Sequence, residues 1–195
     1  MPRQGLTPET VVLAAADLAD EIGVDRVTVS GLARRLGVRD ASLYSHVRSL
    51  DDLRVRIALR ASGELADRLG DAVAGRAGRD ALGAFGSAYR AYALAHPGRY
   101  ASTHLQLDPA LVASTPSAQR ILDLTGAMFR GYGLTDPDLT DAVRLVRSTF
   151  HGFATLEAAG GFGHPRDLDT SWRRALDALD YLLRHWSDTA LPSAP

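Results

Sequence analysis

A chain of 195 residues, 46% hydrophobic and 23% charged, is long enough to bury a core without staples and too apolar to stay disordered. It holds no cysteine, which excludes disulfides and thiolate metal sites, and its net charge of -1 excludes indiscriminate adhesion to nucleic acid. The first residues carry no apolar h-region with a cleavage site, and no apolar run reaches membrane-spanning length, so a soluble, cytoplasmic protein with no membrane partner is expected.

Helical signals follow one another along the chain. Thr7-Pro8-Glu9-Thr10 opens the first: Thr7 can cap orphan amides, and Pro8 loses nothing at the first helical position. Val11, Ala15, Leu18, Ala19 and Ile22 recur at helical spacing, and Gly23 ends the run. A short helix capped by Thr28 sets Val29, Leu32, Ala33 and Leu36 on one face and stops at Gly37. After Val38 a third helix is predicted through about Val47, then a long one from about Leu50 to Val73, where Arg54, Arg56 and Arg60 suit pairing with Asp51, Asp52 and Glu64.

Past Gly78 the pattern predicts helices from Arg79 to about Ala95, closed by His96-Pro97-Gly98, and from Arg99 to about Leu105. Asp108-Pro109 to Thr115-Pro116 reads as a loop. Helices from Pro116 to about Tyr132 and from Asp136, as cap, to about Ala159 follow; "GGFGHPRD" then breaks the chain before a last helix from about Asp169 to Trp186. The tail "SDTALPSAP" is expected to fray. About nine helices, with no repeat and no strand alternation, make an all-α fold. Its expected organisation is a three-helix helix-turn-helix domain over 1–50, a linking helix over 50–73, and a larger helical domain over 74–190.

The charge is unevenly spread. Between Arg26 and Arg48 five arginines accompany one acid, Asp40. All 22 basic residues are arginine, which codon bias in a G+C-rich genome explains without function. In the third helix Leu43 and Val47 would face the small core with Leu32 and Leu36, turning Ala41, Ser42, Tyr44, Ser45 and Arg48 the other way. Small, hydroxyl-bearing residues edged by arginine suit a major groove: room near the bases, donors for phosphates, and a salt-sensitive attraction. The helix N-terminus would add a phosphate-favouring dipole.

The stretch "VTVSGLARRLGVRDASLYSHVRSLDDL" resembles the DNA-binding signature of the TetR/AcrR family of one-component transcriptional repressors. There a T-x-x-x-(I/L)-A-x-x-(A/L)-G-V segment leads into an (S/T)-L-Y-x-(H/Y)-(F/V) recognition helix, and the likeness covers about residues 7 to 60. The resemblance implies phosphate contacts at Thr28 and Tyr44, and contacts to base edges or backbone at Ser30, Arg39, Asp40, Ala41, Ser42, Ser45 and His46. Two positions depart from it: Arg39 stands where a small cap is usual and Leu50 where a lysine is, so Asp40 is the alternative cap and Arg48 the alternative phosphate contact. Plainer roles stay open: a core position for Tyr44, an intradomain bond for His46, capping for Asp40, solvation for Arg34 and Arg35.

In the rear half, the helix from Asp136 carries two stripes: Leu139, Val143, Val146, Phe150, Phe153, and Leu145, Thr149, Gly152, Leu156. A helix apolar or small on two faces is buried on two sides, which points to a homodimer built as a two-fold four-helix bundle on a palindromic operator of double-stranded DNA. Phe150, Phe153, Trp172, Leu176, Leu179, Leu183 and Trp186 are the expected interface. "STFHGFATLEAAGGFGHPRDLDTSWRRALDAL" with "YRAYALAHPGRYA" resembles the TetR subgroup named for its Trp/Phe-His-Gly stretch, here Phe150-His151-Gly152. A pocket for a small, mostly apolar effector is expected among Phe85, Tyr89, Tyr92, Tyr100, His104, Met128, Phe129, Arg147 and His151, with core packing as the plainer role of the aromatic members. No catalytic residue, cofactor or metal is expected. His104 near Asp108 and His151 near Glu157 lack a nucleophile motif, His-Glu-x-x-His is absent, and "GGFG" follows a helix rather than a strand. A helical adaptor would explain the helices but not the groove-ready face.

Overall fold

Local chemistry sets where the helices begin. In the computed structural model, which describes residues 6–189, α1 (Pro8–Ile22) starts on a reciprocal box. The Thr10 amide donates to the Thr7 hydroxyl at 3.1 Å, and the Thr7 amide to the Thr10 hydroxyl at 2.9 Å. Thr28 caps α2 (Val29–Leu36) by accepting from the Gly31 amide at 3.0 Å. Gly37 ends it in the left-handed region, φ 67°, where a side chain would strain the backbone. The Gly37 and Val38 amides turn back to the Arg34 and Ala33 carbonyls, at 3.3 and 3.0 Å, and so satisfy two orphan acceptors.

The next helices are α3 (Asp40–Leu43), α4 (Leu50–Val73), α5 (Gly78–Ala95), α6 (Pro97–Ser102), α7 (Pro109–Ala113), α8 (Pro116–Phe129), α9 (Asp138–Ala158) and α10 (Leu168–Arg184). The described residues thus hold ten α-helices, joined by 3-10 turns, and no strand. The tenth, α7, stands where the sequence suggested a loop; Pro109 occupies its first turn and Asp108 caps it, accepting from the Ala110 amide at 2.8 Å. α9 begins after Pro137 rather than at Asp136, whose carboxylate instead accepts from the Thr140 hydroxyl at 2.7 Å. α10 is capped by Asp167, whose bonds from the Thr170 hydroxyl and amide hold its carboxyl below the usual range. Of the tail, Trp186–Thr189 form a 3-10 turn, and the remainder lies outside the described residues. Among the described residues no helix is long and apolar enough to cross a membrane.

The chain divides into two compact units. One runs to Ala66 and includes Tyr92–Gln119; the other is Asp67–Ala91 together with the chain from Arg120. The first is cored by Val11, Ala15, Leu18, Val27, Leu32, Leu43, Val47, Leu53 and Ile57. Tyr92–Gln119, which the sequence groups with the rear half, joins this unit because α6 packs on α1. Gly98 permits the approach: a Cβ there would overlap the Ala19 carbonyl. Arg99, with its side chain 7% exposed, then meets Asp17 and Asp20 of α1, and its Nε lies 3.4 Å from Glu64 of α4. Its amide donates to Asp20 at 2.8 Å, and His96 Nδ1 lies 3.1 Å from the same carboxylate. Burial alone would favour the neutral guanidine, but Asp17, Asp20 and Glu64 outweigh it and hold Arg99 firmly charged.

The second unit is built around Phe150, with ring centroids of Phe85, Tyr89 and Trp172 at 6.3, 5.8 and 5.4 Å. Arg90 bridges α5 to α9 and α10, donating to Glu157 at 2.6 Å and to Asp169 at 2.7 Å. Near the end of α10, Asp180 accepts from Tyr132 at 2.8 Å and from Arg184 at 2.9 Å.

Candidate nucleic-acid interface

The face expected to read DNA is on the outside of the first unit. Leu43 and Val47 point into its core with Leu32, while Leu36 is half-buried. Ala41, Ser42, Tyr44, Ser45 and Arg48 are exposed, as are Thr28, Ser30 and Arg39, and His46 is half-buried. Tyr44 is 57% exposed, so its ring is not a core ring. A half-exposed tyrosine beside alanine and serine leaves a phenolic donor standing over a shallow, small-residue surface.

The helix carrying this face is shorter than the sequence suggested. α3 ends at Leu43 and residues 44–46 form a turn, not the helix predicted through Val47. The Ser45 hydroxyl donates to the Ser42 carbonyl at 2.7 Å, and the His46 amide closes a tight bond to Leu43 at 2.8 Å. A helix of four residues carries little macrodipole, so attraction to phosphate on this face comes from side chains.

Asp40 does not cap α3. The cap position is Arg39, without a side-chain bond, and the Asp40 carboxylate accepts from the Ser30 hydroxyl. That bond ties the start of α2 to the start of α3 and fixes the angle between the two helices of the motif. Thr28 spends its oxygen on capping α2, yet its hydroxyl proton is still available to donate to a phosphate.

The arginines divide by their acids. Arg35 is held by Glu21 at 2.7 Å, and Arg54, Arg56 and Arg60 pair with Asp51, Asp52 and Glu64 at 3.5, 3.0 and 2.8 Å, as their spacing suggested. Arg34 and Arg39 are exposed with no ion-pair partner among the described residues. Arg48, with its side chain 85% exposed, shares Asp52 with Arg56. The Asp52 carboxylate accepts from the Arg48 amide at 3.0 Å and so locks the turn into α4; that bond, with Arg48 and Arg56, holds its pKa below the usual carboxylate value.

The residues expected to hold an effector divide between the units. Tyr92, Tyr100 and His104 belong to the first, and Phe85, Tyr89, Met128, Phe129, Arg147 and His151 to the second. Phe85, Tyr89, Tyr92, Tyr100, Met128 and Phe129 are buried in the chain's own packing, while His104 and Arg147 are exposed and His151 is half-buried. The Tyr92 hydroxyl donates to the Ala61 carbonyl at 3.1 Å, and burial raises its pKa.

The side chains expected at a dimer interface are mostly buried within the chain itself. Phe150, Trp172, Leu176, Leu179 and Leu183 are buried within a single chain, so their apolar area is already spent. Phe153 is half-buried between Phe162 and Trp172, at 4.9 and 4.8 Å, and Trp186 is half-buried. On the second stripe of α9 Leu145, Thr149 and Gly152 are half-buried and Leu156 is exposed, and on α10 Leu182 is half-buried while Ala178 and Tyr181 are exposed, the last 66% exposed and stacked on His185. Among the described residues no three His, Cys, Asp or Glu side chains gather as a metal site.

Sequence reasoning missed Asp17, Asp20 and Arg99. It read His96-Pro97-Gly98 only as a helix stop; α5 does end at Ala95, and in addition Pro97 sits in the first turn of α6 and Gly98 is where that helix meets α1.

Comparison with known proteins bears on the family and the fold. Residues 11–57 match the model of the bacterial regulatory proteins of the tetR family, and residues 82–179 that of the tetracyclin repressor-like C-terminal domain. The uncharacterized HTH-type transcriptional regulator YobS of Bacillus subtilis is 31% identical over 183 residues, spanning 94% of this chain and 92% of YobS. The uncharacterized HTH-type transcriptional regulator Rv0681 of Mycobacterium tuberculosis is 37% identical over 169 residues, 85% of this chain and 75% of the relative. A crystal structure of BioQ with its double-stranded DNA operator shares the fold, with a TM-score of 0.63 and 22% identity over 92% of this chain and 99% of that one.

Proposed function

Starting from the premise that the chain belongs to the TetR family of bacterial regulatory proteins, we propose that it is a repressor that binds a palindromic operator as a homodimer and is released by a small molecule. The observation that carries the reading is the outward face Ala41–Arg48, with small residues over a packed core and Tyr44, Arg34 and Arg39 available to phosphate. The rear half, with Phe150-His151-Gly152, is assigned to the Trp/Phe-His-Gly subgroup on that stretch.

Pairing of two copies would cover the second stripe of α9 together with Ala178, Tyr181 and Leu182 of α10. The domain roles follow: residues 1–50 read DNA, the helix over 50–73 links, and 74–190 pair and sense. Effector binding would shift the stretch from Leu53 to Leu69 of α4, so that the two reading faces no longer match successive major grooves. A ligand achieves this only by binding the non-operator state more tightly. As a regulator the chain works in the cytoplasm and needs no catalytic group.

The test is selection of bound fragments from the source genome, followed by fluorescence anisotropy on a selected duplex at two salt concentrations. Two chains per duplex, with affinity falling steeply as salt rises, support the proposal. One chain per duplex, or affinity indifferent to salt, contradicts it.

A further inference from the structure

The second unit carries a cleft of about 560 Å³, the size of a site for a small organic molecule. It is lined by Arg79 and Gly83 of α5, Arg166 of the loop before α10, and Arg173, Arg174 and Asp177 of α10. Four arginines against one carboxylate leave a local excess of three positive charges on a chain whose net charge is -1. That carboxylate is already committed, because Asp177 pairs with Arg79. Arg173 reaches only neutral acceptors, the Asp169 carbonyl at 3.3 Å and the Thr170 hydroxyl at 3.2 Å. Arg166 and Arg174 are exposed and have no ion-pair partner among the described residues.

Guanidinium groups lining one cleft repel one another, and of these three only Arg173 acts on an acid of the unit, its charge helping to lower the Asp167 pKa without an ion pair. A planar guanidinium matches carboxylate and phosphate oxygens two at a time, so an oxyanion is the ligand that turns the repulsion into binding. Gly83 contributes to the opening of the cleft. A glycine inside a helix costs about 1 kcal/mol relative to alanine. Gly86 on the same helix has a packing reason: a Cβ there would meet Phe150 at 2.8 Å and Leu176 at 2.9 Å. Gly83 has none, since a Cβ there would meet nothing within 4 Å, and its bare backbone leaves the cleft wall open. Leu176 adds an apolar patch for a carbon skeleton.

We infer that this cleft binds a small organic polyanion carrying carboxylate or phosphate groups and, resting on the regulatory reading above, that this anion is the effector. An anionic effector replaces the mostly apolar one suggested by the aromatic residues, which are occupied in the core.

The experiment is isothermal titration calorimetry of the full chain with citrate and, separately, inorganic pyrophosphate, at about 0.15 M ionic strength so that screening is constant. Saturable binding of either probe, weakened at least about tenfold by Arg166→Glu with Arg174→Glu, is expected. Both positions are exposed, so the melting temperature is unchanged. Gly83→Glu, which places a carboxylate in the cleft, abolishes the same binding. The two probes tell a carboxylate site from a phosphate site. Equal binding by the wild type and the double variant, or no binding of either probe, overturns the cleft. A probe that binds there and leaves operator affinity unchanged overturns the effector assignment alone. Failure of the wild type to bind any selected duplex overturns the regulatory reading instead, and calorimetry still decides the cleft.

Discussion

The joint between α1, α4 and α6 and the outward face of α2 and α3 lie in the same unit and use arginine for opposite ends. At the joint, Arg99 is enclosed by Asp17, Asp20 and Glu64, and its charge is consumed in holding helices together. On the face, Arg34 and Arg39 look outward with no carboxylate among the described residues to answer them. A count of arginines along the sequence does not separate these uses; the placement of the acids does. Arg35 makes the point within one helix, since Glu21 claims it while its neighbour Arg34 is left open.

The joint breaks most completely where backbone meets backbone. Gly98→Val places a side chain on the Ala19 carbonyl and is expected to cost about 3 kcal/mol or more, read as a fall in the urea midpoint with loss of operator binding. Arg99→Met keeps the volume but removes the cation that Asp17, Asp20 and Glu64 share, leaving Arg60 beside Glu64 and His96 beside Asp20. A loss of about 2–3 kcal/mol is expected, since Asp17 is partly solvated, and Arg99→Met with Asp20→Asn should recover part of it.

On the open face the effects invert, with binding lost and stability kept. Tyr44→Phe removes a donor and is expected to weaken every operator sequence by about fivefold, a cost of about 1 kcal/mol, while the melting temperature stays put. Equal loss of stability and binding would place Tyr44 with the joint.

The smallest effect is acid sensitivity at the turn between face and α4. The folded pKa of Asp52 is lowered, so the folded state binds fewer protons than the unfolded chain. Its contribution is therefore present above the ordinary carboxylate range and disappears as pH falls through that range and below. Melting curves from pH 7 down to about 3 should show a shallower acid loss for Asp52→Asn than for the wild type.

Legibility followed range. Caps and stops that depend on neighbours, such as Thr7, Thr28 and Gly37, were readable because each acts within a turn of its own position. The inward Leu32, Leu43 and Val47 and outward Tyr44 followed from helical spacing. What failed was long-range or competitive. Nothing local shows that Arg99 will meet Asp17 and Asp20, some eighty residues earlier, or that Asp40 will prefer Ser30 to its own helix end. The early end of α3 reflects a contest between the Ser45 hydroxyl and backbone amides that periodicity does not register. The two apolar stripes on α9 likewise show that two faces are covered, and only packing shows that Phe150 lies in the chain's own core.

The claim on which everything turns is that the surface from Ala41 to Arg48 lies against duplex DNA. Ala41 is exposed, so Ala41→Glu adds a carboxylate to that surface without touching the core. Anisotropy of a duplex selected by the wild type measures the consequence directly. Affinity lower by on the order of a hundredfold at an unchanged melting temperature is what the account predicts. Ala41→Glu binding as tightly as the wild type would contradict it.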